Sequence, residues 1–424
     1  MRSLEHNRNT VISGLTIATF ATLPLYLFQS GGFQIVDAII ILLSAALFIT
    51  ITYCEVQTGL YLIGPFIPFI SWVVIVNSYY ATEAISETGY LLSTAQLIFG
   101  FYVLFLFSIA FKRILSNLWG ISCLYWGLLA SCLTPWLMRA NSKTLRSALS
   151  FNNPNQLAYY SILILSMLLF VNLLNTKTRR KSIVHWILNI TIIIICNIFV
   201  LVSASRAGTV VVILLDICLL YILLKEYIKL FVSLAVMLVF LSVTLSVVSK
   251  HYGAVFTPRS QNTTEIKDTT QMSRIEAINY RFSRGGNVIE VLGKRVSYIQ
   301  NDDTFSILFG NGGRKFVRQK EKSIEDLSMR EVHNAPVEIY DSYGIVGAVL
   351  FLGGSVFFVM RLGTFPSKWL FFITLLLYNI SHNGIRFRSM WVAIALVSIV
   401  SLLKKDQLST QYQFTKLRPV DYTR

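Results

Sequence analysis

Charge is scarce in this chain, and acidic charge scarcer still: Asp, Glu, Lys and Arg make up 14% of its residues, with 21 acidic against 37 basic side chains. Water-soluble domains devote about a quarter of their residues to charge, so so thin a polar coat excludes that class. Cysteine is nearly absent too. The five present (Cys54, Cys123, Cys132, Cys196 and Cys218) fall inside apolar runs, with no CxxC pair and no histidine beside them. That pattern points to neither a metal site nor a disulfide framework, and reads as small core residues. Carboxylates paired in the manner of a glycoside hydrolase are not evident. The alternation of barrel strands is missing as well, which leaves helices as the only way to satisfy the backbone in lipid.

What the chain has in quantity is hydrocarbon. Apolar residues make up 54% of it and the mean hydropathy is +0.61. Apolar runs of about twenty residues, the length that crosses a bilayer, recur about twelve times. They lie near 10–28, 34–54, 59–78, 89–111, 116–137, 155–174, 183–203, 207–224, 228–249, 337–360, 367–381 and 389–403. The first run is too long, and too closely followed by the next, to be a cleaved signal. The expectation is an all-α integral membrane protein of about 12 transmembrane helices. Residues 1–249 would carry spans one to nine, 250–335 a periplasmic loop domain, 336–403 spans ten to twelve, and 404–424 a cytoplasmic tail.

Lysine and arginine in the short loops set the orientation. With the N-terminus inside, the cytoplasmic segments hold Arg2, Arg8, Lys112, Arg113, Lys177, Arg179, Arg180, Lys181, Lys225, Lys229, Arg361, Lys368, Lys404 and Lys405. The inverted arrangement would put the 179–181 cluster outside, against the loop bias. Basic residues that break this rule are therefore informative. Arg139, Lys143 and Arg146 precede span six, Arg206 precedes span eight, and Arg386 and Arg388 precede span twelve. Each stands upstream of a span whose N-terminus points outward. There, unpaired N–H groups and the positive end of the helix dipole favour a phosphate or diphosphate. Snorkelling to lipid headgroups accounts for Lys143 alone. For Arg206, set in Ser203-Ala-Ser-Arg-Ala-Gly208 between two apolar runs, function is the better account.

The 250–330 segment is rich in Arg, Lys and Gly. Its Leu308-Phe-Gly-Asn-Gly-Gly313 stretch reads as a turn whose glycines could bring backbone close to a ligand. It ends in His333-Asn334, after which Pro336 suits the first turn of span ten, with Asn334 or Ala335 as the cap. Gly344 and Gly347 would let that span approach a neighbour closely. Most solitary histidines are plain polar surface. One held at a helix start above the membrane mouth is placed to take a proton near neutral pH.

These residues resemble a family. His333-Asn334, nine residues, then Gly344-x-x-Gly347 is similar to the HN-x9-GxxG motif of the O-antigen ligases and the related O-antigen, capsule and exopolysaccharide polymerases. Ser203–Gly208 resembles the S-x-SR-x-G segment of that superfamily, Phe151-Asn-Asn-Pro-Asn-Gln-Leu157 its NPNxxA-type element, and Arg274 followed by Leu308–Gly312 its R…xxFGxG stretch. The resemblance runs from about Asn152 to Trp391, and the N-terminal third matches in hydropathy alone.

It implies a multi-pass glycosyltransferase of the bacterial inner membrane with its active site facing the periplasm. Its donor would be a glycan on undecaprenyl diphosphate, with no metal, nucleotide sugar or other cofactor required. Arg206 would hold the leaving diphosphate, with Arg139, Arg146, Arg274, Arg386 and Arg388 as substrate-binding partners. His333 would accept or orient the acceptor's proton, and Asn155 and Asn334 would bind sugar or cap helices. The expected partners are the lipid-linked glycan, the lipid bilayer and a chain-length regulator protein; no nucleic acid is expected. A ligase would pass the glycan to lipid A core and a polymerase to another lipid-linked repeat unit. The basic outer segment and the Asn-Asn-Pro-Asn element tilt the reading to polymerase. A flippase or transporter would share the hydropathy, but should show repeated halves with broken helices at matching positions, and no such symmetry is evident.

Overall fold

The computed structural model describes residues 2–25, 33–83, 88–116, 119–137, 149–151, 154–175, 183–203, 205–224, 304–313, 335–362, 366–381, 384–385 and 387–416. Within them the chain is helical, with no strand. In chain order the helices are α1 (Arg2–Thr22), α2 (Ile35–Phe48), α3 (Tyr53–Ile63), α4 (Ile67–Glu83), α5 (Thr88–Leu115), α6 (Gly120–Leu137) and α7 (Pro154–Asn175). They continue with α8 (Ile183–Ser203), α9 (Arg206–Leu224), α10 (Thr304–Phe309), α11 (Ala335–Arg361), α12 (Pro366–Ser381) and α13 (Arg388–Lys416).

A helix stands at eleven of the twelve apolar runs; the run at 228–249 lies outside the described residues. Five stretches are long and apolar enough to cross a bilayer: Tyr53–Thr82, Tyr90–Leu115, Pro154–Leu174, Ile183–Ser203 and Ala335–Arg361. The chain is thus a membrane protein, helical throughout its described elements. In the apolar window of Pro154–Leu174, 89% of the residues are buried, against 33% in that of Ala335–Arg361. So α7 is covered by protein along its length, whereas α11 turns Val349, Leu352 and Met360 outward, as a lipid-facing helix must.

Two compact units divide the chain. In the first, α1 packs along α6, α6 along α8, and α8 against α9. Lipid offers no hydrophobic drive between such helices, so polar side chains do the joining. The Tyr125 hydroxyl donates to Asn172 Oδ1 at 2.9 Å, Asn172 Nδ2 to Asn189 Oδ1 at 2.5 Å, and Asn189 Nδ2 back to the Tyr125 oxygen at 3.3 Å. This closed ring of three buried groups ties α6, α7 and α8 together. Beside it the His185 ring stacks on Tyr125 at 4.9 Å, and its Nε2 lies 2.9 Å from Ser122 Oγ. The thiols of Cys132 and Cys196 meet at 3.8 Å, fully buried.

In the second unit α5 is the hub, packed on α3, α4 and α13, while α11 lies against α4 and α12. The second apolar run was expected to continue to residue 54, but α2 stops at Phe48. Polar groups between α2 and α3 explain the stop. The Glu55 carboxylate accepts the Thr52 N–H and hydroxyl, both at 2.8 Å, which starts a new helix at Tyr53. Arg113, from the end of α5, pairs with the same carboxylate through Nε and Nη2 and donates to the Thr50 carbonyl. The pair is about nine-tenths covered, with side chains 12% and 11% exposed. Removing one partner strands the other, so Arg113→Ala is expected to cost roughly 3–5 kcal/mol. Replacing both, as Arg113→Met with Glu55→Leu, should restore most of that loss. Thermal unfolding in detergent measures both; a single variant that melts like the wild type would remove the pair from the stability account.

A one-turn 3₁₀ segment, Gly64–Phe66, joins α3 to α4, so that Tyr53–Thr82 forms one span with a tightened middle. Past the last apolar run, α13 continues through Lys404 and Lys405 to Lys416. Hydropathy registers the end of the bilayer, whereas Lys, Gln and Leu go on favouring helix beyond it.

Candidate functional site

Glycine-rich turn and broken helix meet in the second unit, and they fit each other residue by residue. Thr304–Phe309 is one short helix, closed by the Gly310 N–H donating to the Ser306 carbonyl at 2.8 Å. Gly310 has φ +81°, so the chain turns sharply there, and the Tyr80 hydroxyl of α4 donates to its carbonyl at 2.7 Å. Across from it, α11 is interrupted at Gly344, whose φ of +66° and ψ of −170° lie outside any helix. That break frees carbonyls which the turn then satisfies. The Asn311 N–H donates to the Asp341 carbonyl at 2.9 Å and the Gly312 N–H to the Ser342 carbonyl at 2.8 Å. Trp72 Nε1 takes the Tyr343 carbonyl at 2.9 Å. The Gly313 N–H finds Asn77 Oδ1 at 2.8 Å, and the Asn77 amide donates in turn to Thr94 at 2.8 Å.

A Cβ on Gly344 would overlap the Leu308 carbonyl, and one on Gly310 would overlap the backbone of Ser342 and Tyr343. The glycines expected to admit a ligand therefore admit another part of the chain. A Cβ on Gly347 would meet first the Tyr343 Cβ of the same broken helix, at 2.3 Å, and then the Trp72 ring of α4, at 3.2 Å from Cδ1.

Behind this joint, between α4, α5 and the first turns of α11, is a cavity lined by Ser93, Gln96, Glu338 and Ser342. Phe69, Leu97, Ile339, Tyr343 and Ile385 complete its wall, which is mostly apolar. Glu338 is 8% exposed and stands one turn inside α11, the helix that His333-Asn334 precede in sequence. Glu338 and Gln96 are not among the residues expected at the site, although a carboxylate and an amide inside apolar runs were the available signal.

The expected site residues divide sharply. Arg388 is the first residue of α13, half-buried, its guanidinium 6.0 Å from the centre of the Phe99 ring. The chain just ahead of it is held at both ends: the Ile385 carbonyl accepts from Trp391 Nε1 at 2.9 Å, and the Gly384 N–H donates to Asn379 Oδ1 at 2.8 Å. Arg206 is the first residue of α9 and Asn155 the second of α7. Both belong to the first unit, whereas Arg388 belongs to the second. The starts of α7 and α9 come together, because a Cβ built on Gly208 lies 2.9 Å from that of Ala158. Ser205 precedes α9, its hydroxyl 3.3 Å from the Gly208 N–H and its carbonyl accepting from the Thr209 hydroxyl at 2.9 Å. Two helix N-termini thus open side by side, a donor-rich arrangement suited to an anion. Arg139, Arg146, Arg274, His333, Asn334 and Arg386 lie outside the described residues.

No protein-family profile matches the chain, and no curated protein matches it.

Proposed function

We propose that this chain is a metal-independent glycosyltransferase of a bacterial inner membrane, with about 12 spans and a large periplasmic segment ahead of α11. It moves a glycan from undecaprenyl diphosphate to a sugar hydroxyl, and acts as a repeat-unit polymerase. The observation that carries the reading is the joint between Leu308–Gly313 and Gly344. Two motifs that the resemblance pairs in sequence interlock through their backbones, in the helix that His333-Asn334 precede in sequence. The paired starts of α7 and α9, with Asn155 and Arg206 in their first turns, add support from the other motifs.

In the reaction the acceptor oxygen bonds to the anomeric carbon as the bond from that carbon to the diphosphate oxygen breaks. The bonding pair leaves with the diphosphate, and guanidinium groups and helix N-termini neutralise it. The hydroxyl proton departs toward His333, which accepts or orients it. Deleting the gene and analysing surface glycans tests this directly. Products carrying a single repeat unit are expected. Long polymer detached from lipid A core would make the protein a ligase instead, and unchanged glycans would end the proposal.

A further inference from the structure

The last turn of α11 gathers positive charge that no described carboxylate answers. Arg361 closes the helix, and its guanidinium lies between two rings, 4.9 Å from that of Tyr61 and 4.3 Å from that of Phe357. Its Nη1 donates to the Tyr61 carbonyl at 3.0 Å, and the Tyr61 hydroxyl returns a bond to the Arg361 carbonyl at 3.3 Å. Lys368, in the first turn of α12, is 2% exposed and donates from Nζ to the Val359 carbonyl at 2.8 Å, which sets a second cation on the same turn. Lys405 of α13 is exposed and near enough for its charge to act on that of Lys368. A helix C-terminus carries the equivalent of about half a negative charge. Three cations exceed it several-fold, and among the described residues the one ion pair is that of Arg113 with Glu55, so the surplus calls for an anion from outside the chain.

The flank of the same helix says what that anion is attached to. Val349, Leu352, Val356 and Met360 recur three and four residues apart on α11 and are all exposed, which makes an apolar stripe that runs down to Arg361. Trp369, exposed at its foot, lies with its ring 5.6 Å from Lys368 Nζ. Trp and Tyr settle where hydrocarbon gives way to headgroups, so Trp369 and Tyr61 put Arg361 at the depth of lipid phosphate. A free phosphate would use the cations and leave the stripe bare. A phospholipid uses both.

We infer that the end of α11 holds one anionic phospholipid, its phosphodiester gripped by Arg361 and drawn in by Lys405 and Lys368, with an acyl chain laid along the α11 stripe. Arg361 makes the contact, because a planar fork can take two phosphate oxygens, and the rings of Tyr61 and Phe357 hold that fork in place. Lys368 is covered and acts through its field alone. The crossing of α11 over the 3₁₀ segment positions the guanidinium: a Cβ built on Gly354 lies 2.6 Å from the Pro65 carbonyl, and one on Gly64 lies 3.5 Å from Arg361 Nη1. Every residue involved belongs to the second unit, and the inference stands apart from the glycosyltransferase reading.

The test titrates the full-length protein, in neutral detergent, with phosphatidylglycerol, with phosphatidylcholine of the same acyl chains, or with inorganic phosphate, and counts the lipid held by native mass spectrometry. Phosphatidylglycerol should bind in preference to phosphatidylcholine, and millimolar phosphate should not displace it. Arg361→Gln and Lys405→Gln should each weaken phosphatidylglycerol about fivefold, the worth of one cation beside an anionic lipid, and the double variant about twenty-five-fold. Phosphatidylcholine should bind all variants alike. Lys112→Gln removes another cation of the same unit, one held on the Thr58 hydroxyl at 2.7 Å, and should leave phosphatidylglycerol in place. Lys405 is exposed, so its variant reads the site even where the loss of Arg361 disturbs the end of α11. Equal binding of the two lipids, displacement by phosphate, unchanged affinity in Lys405→Gln, or a loss in Lys112→Gln as large as that in Arg361→Gln would each overturn the site.

Discussion

Arg206→Ala and His333→Ala are each expected to insert into the membrane at wild-type levels and to lose glycan assembly. A fixed cation on a leaving group is worth about a hundred- to a thousandfold in rate. A positioned proton acceptor contributes about a hundred- to ten-thousandfold. Either loss leaves too little turnover to build polymer. Arg206 is the sharper case, because its backbone opens α9 beside the start of α7, where helix N–H groups can share the charge of one diphosphate. Arg206→Lys should recover only part of the rate, since an ammonium group cannot grip two phosphate oxygens as a planar fork does. Gel analysis of chain-length ladders, with membrane levels measured in parallel, reads the outcome. A full ladder from either alanine variant would remove that residue from the mechanism.

Gly344→Ala should be the most damaging single-carbon change in the described part of the chain. Its backbone sits in a region that side chains almost never occupy, and the new Cβ would meet the Leu308 carbonyl. To relieve the clash α11 would have to straighten or the turn withdraw, and either strands the Asp341 and Ser342 carbonyls. Strain plus lost hydrogen bonds amount to about 3–5 kcal/mol. Gly353→Ala, in the same helix, is the control, since a Cβ there has no neighbour within 4 Å. That change should be neutral or stabilise by about 0.5–1 kcal/mol, as helix propensity dictates. Comparable melting temperatures for the two variants in detergent would show that the joint at Gly344 bears no strain.

Where the sequence was legible, the bilayer made it so. A helix across hydrocarbon must be apolar from end to end, which is why the run at 183–203 coincides with α8, Ile183–Ser203. Arg206, Asn155 and Arg388 were expected at helix starts and stand in the first turns of α9, α7 and α13. The break at Gly344 was not legible, because hydropathy runs on through 337–360 and the positive-φ backbone is matched by Asn311 and Gly312, each 30 residues upstream of the carbonyl it meets. The Leu308–Gly313 turn could be read as a turn. Its reception by Asn77, Tyr80 and the Trp72 ring against Phe309 could not, since tertiary contact alone selects them. The end of α2 is an intermediate case. Thr52 and Glu55 carry the spacing of a capping box, but the apolar residues around them hid it.

Between greasy surfaces nothing tells one helix how far to slide along another, because every offset buries nearly the same hydrocarbon. The ring of Tyr125, Asn172 and Asn189 removes that freedom. Moving any one of its three helices by a single turn, about 5.4 Å, would leave amide groups bare in oil. The knot thus fixes the depth at which α7 presents Asn155 to its surroundings, from seventeen residues away along the same rod.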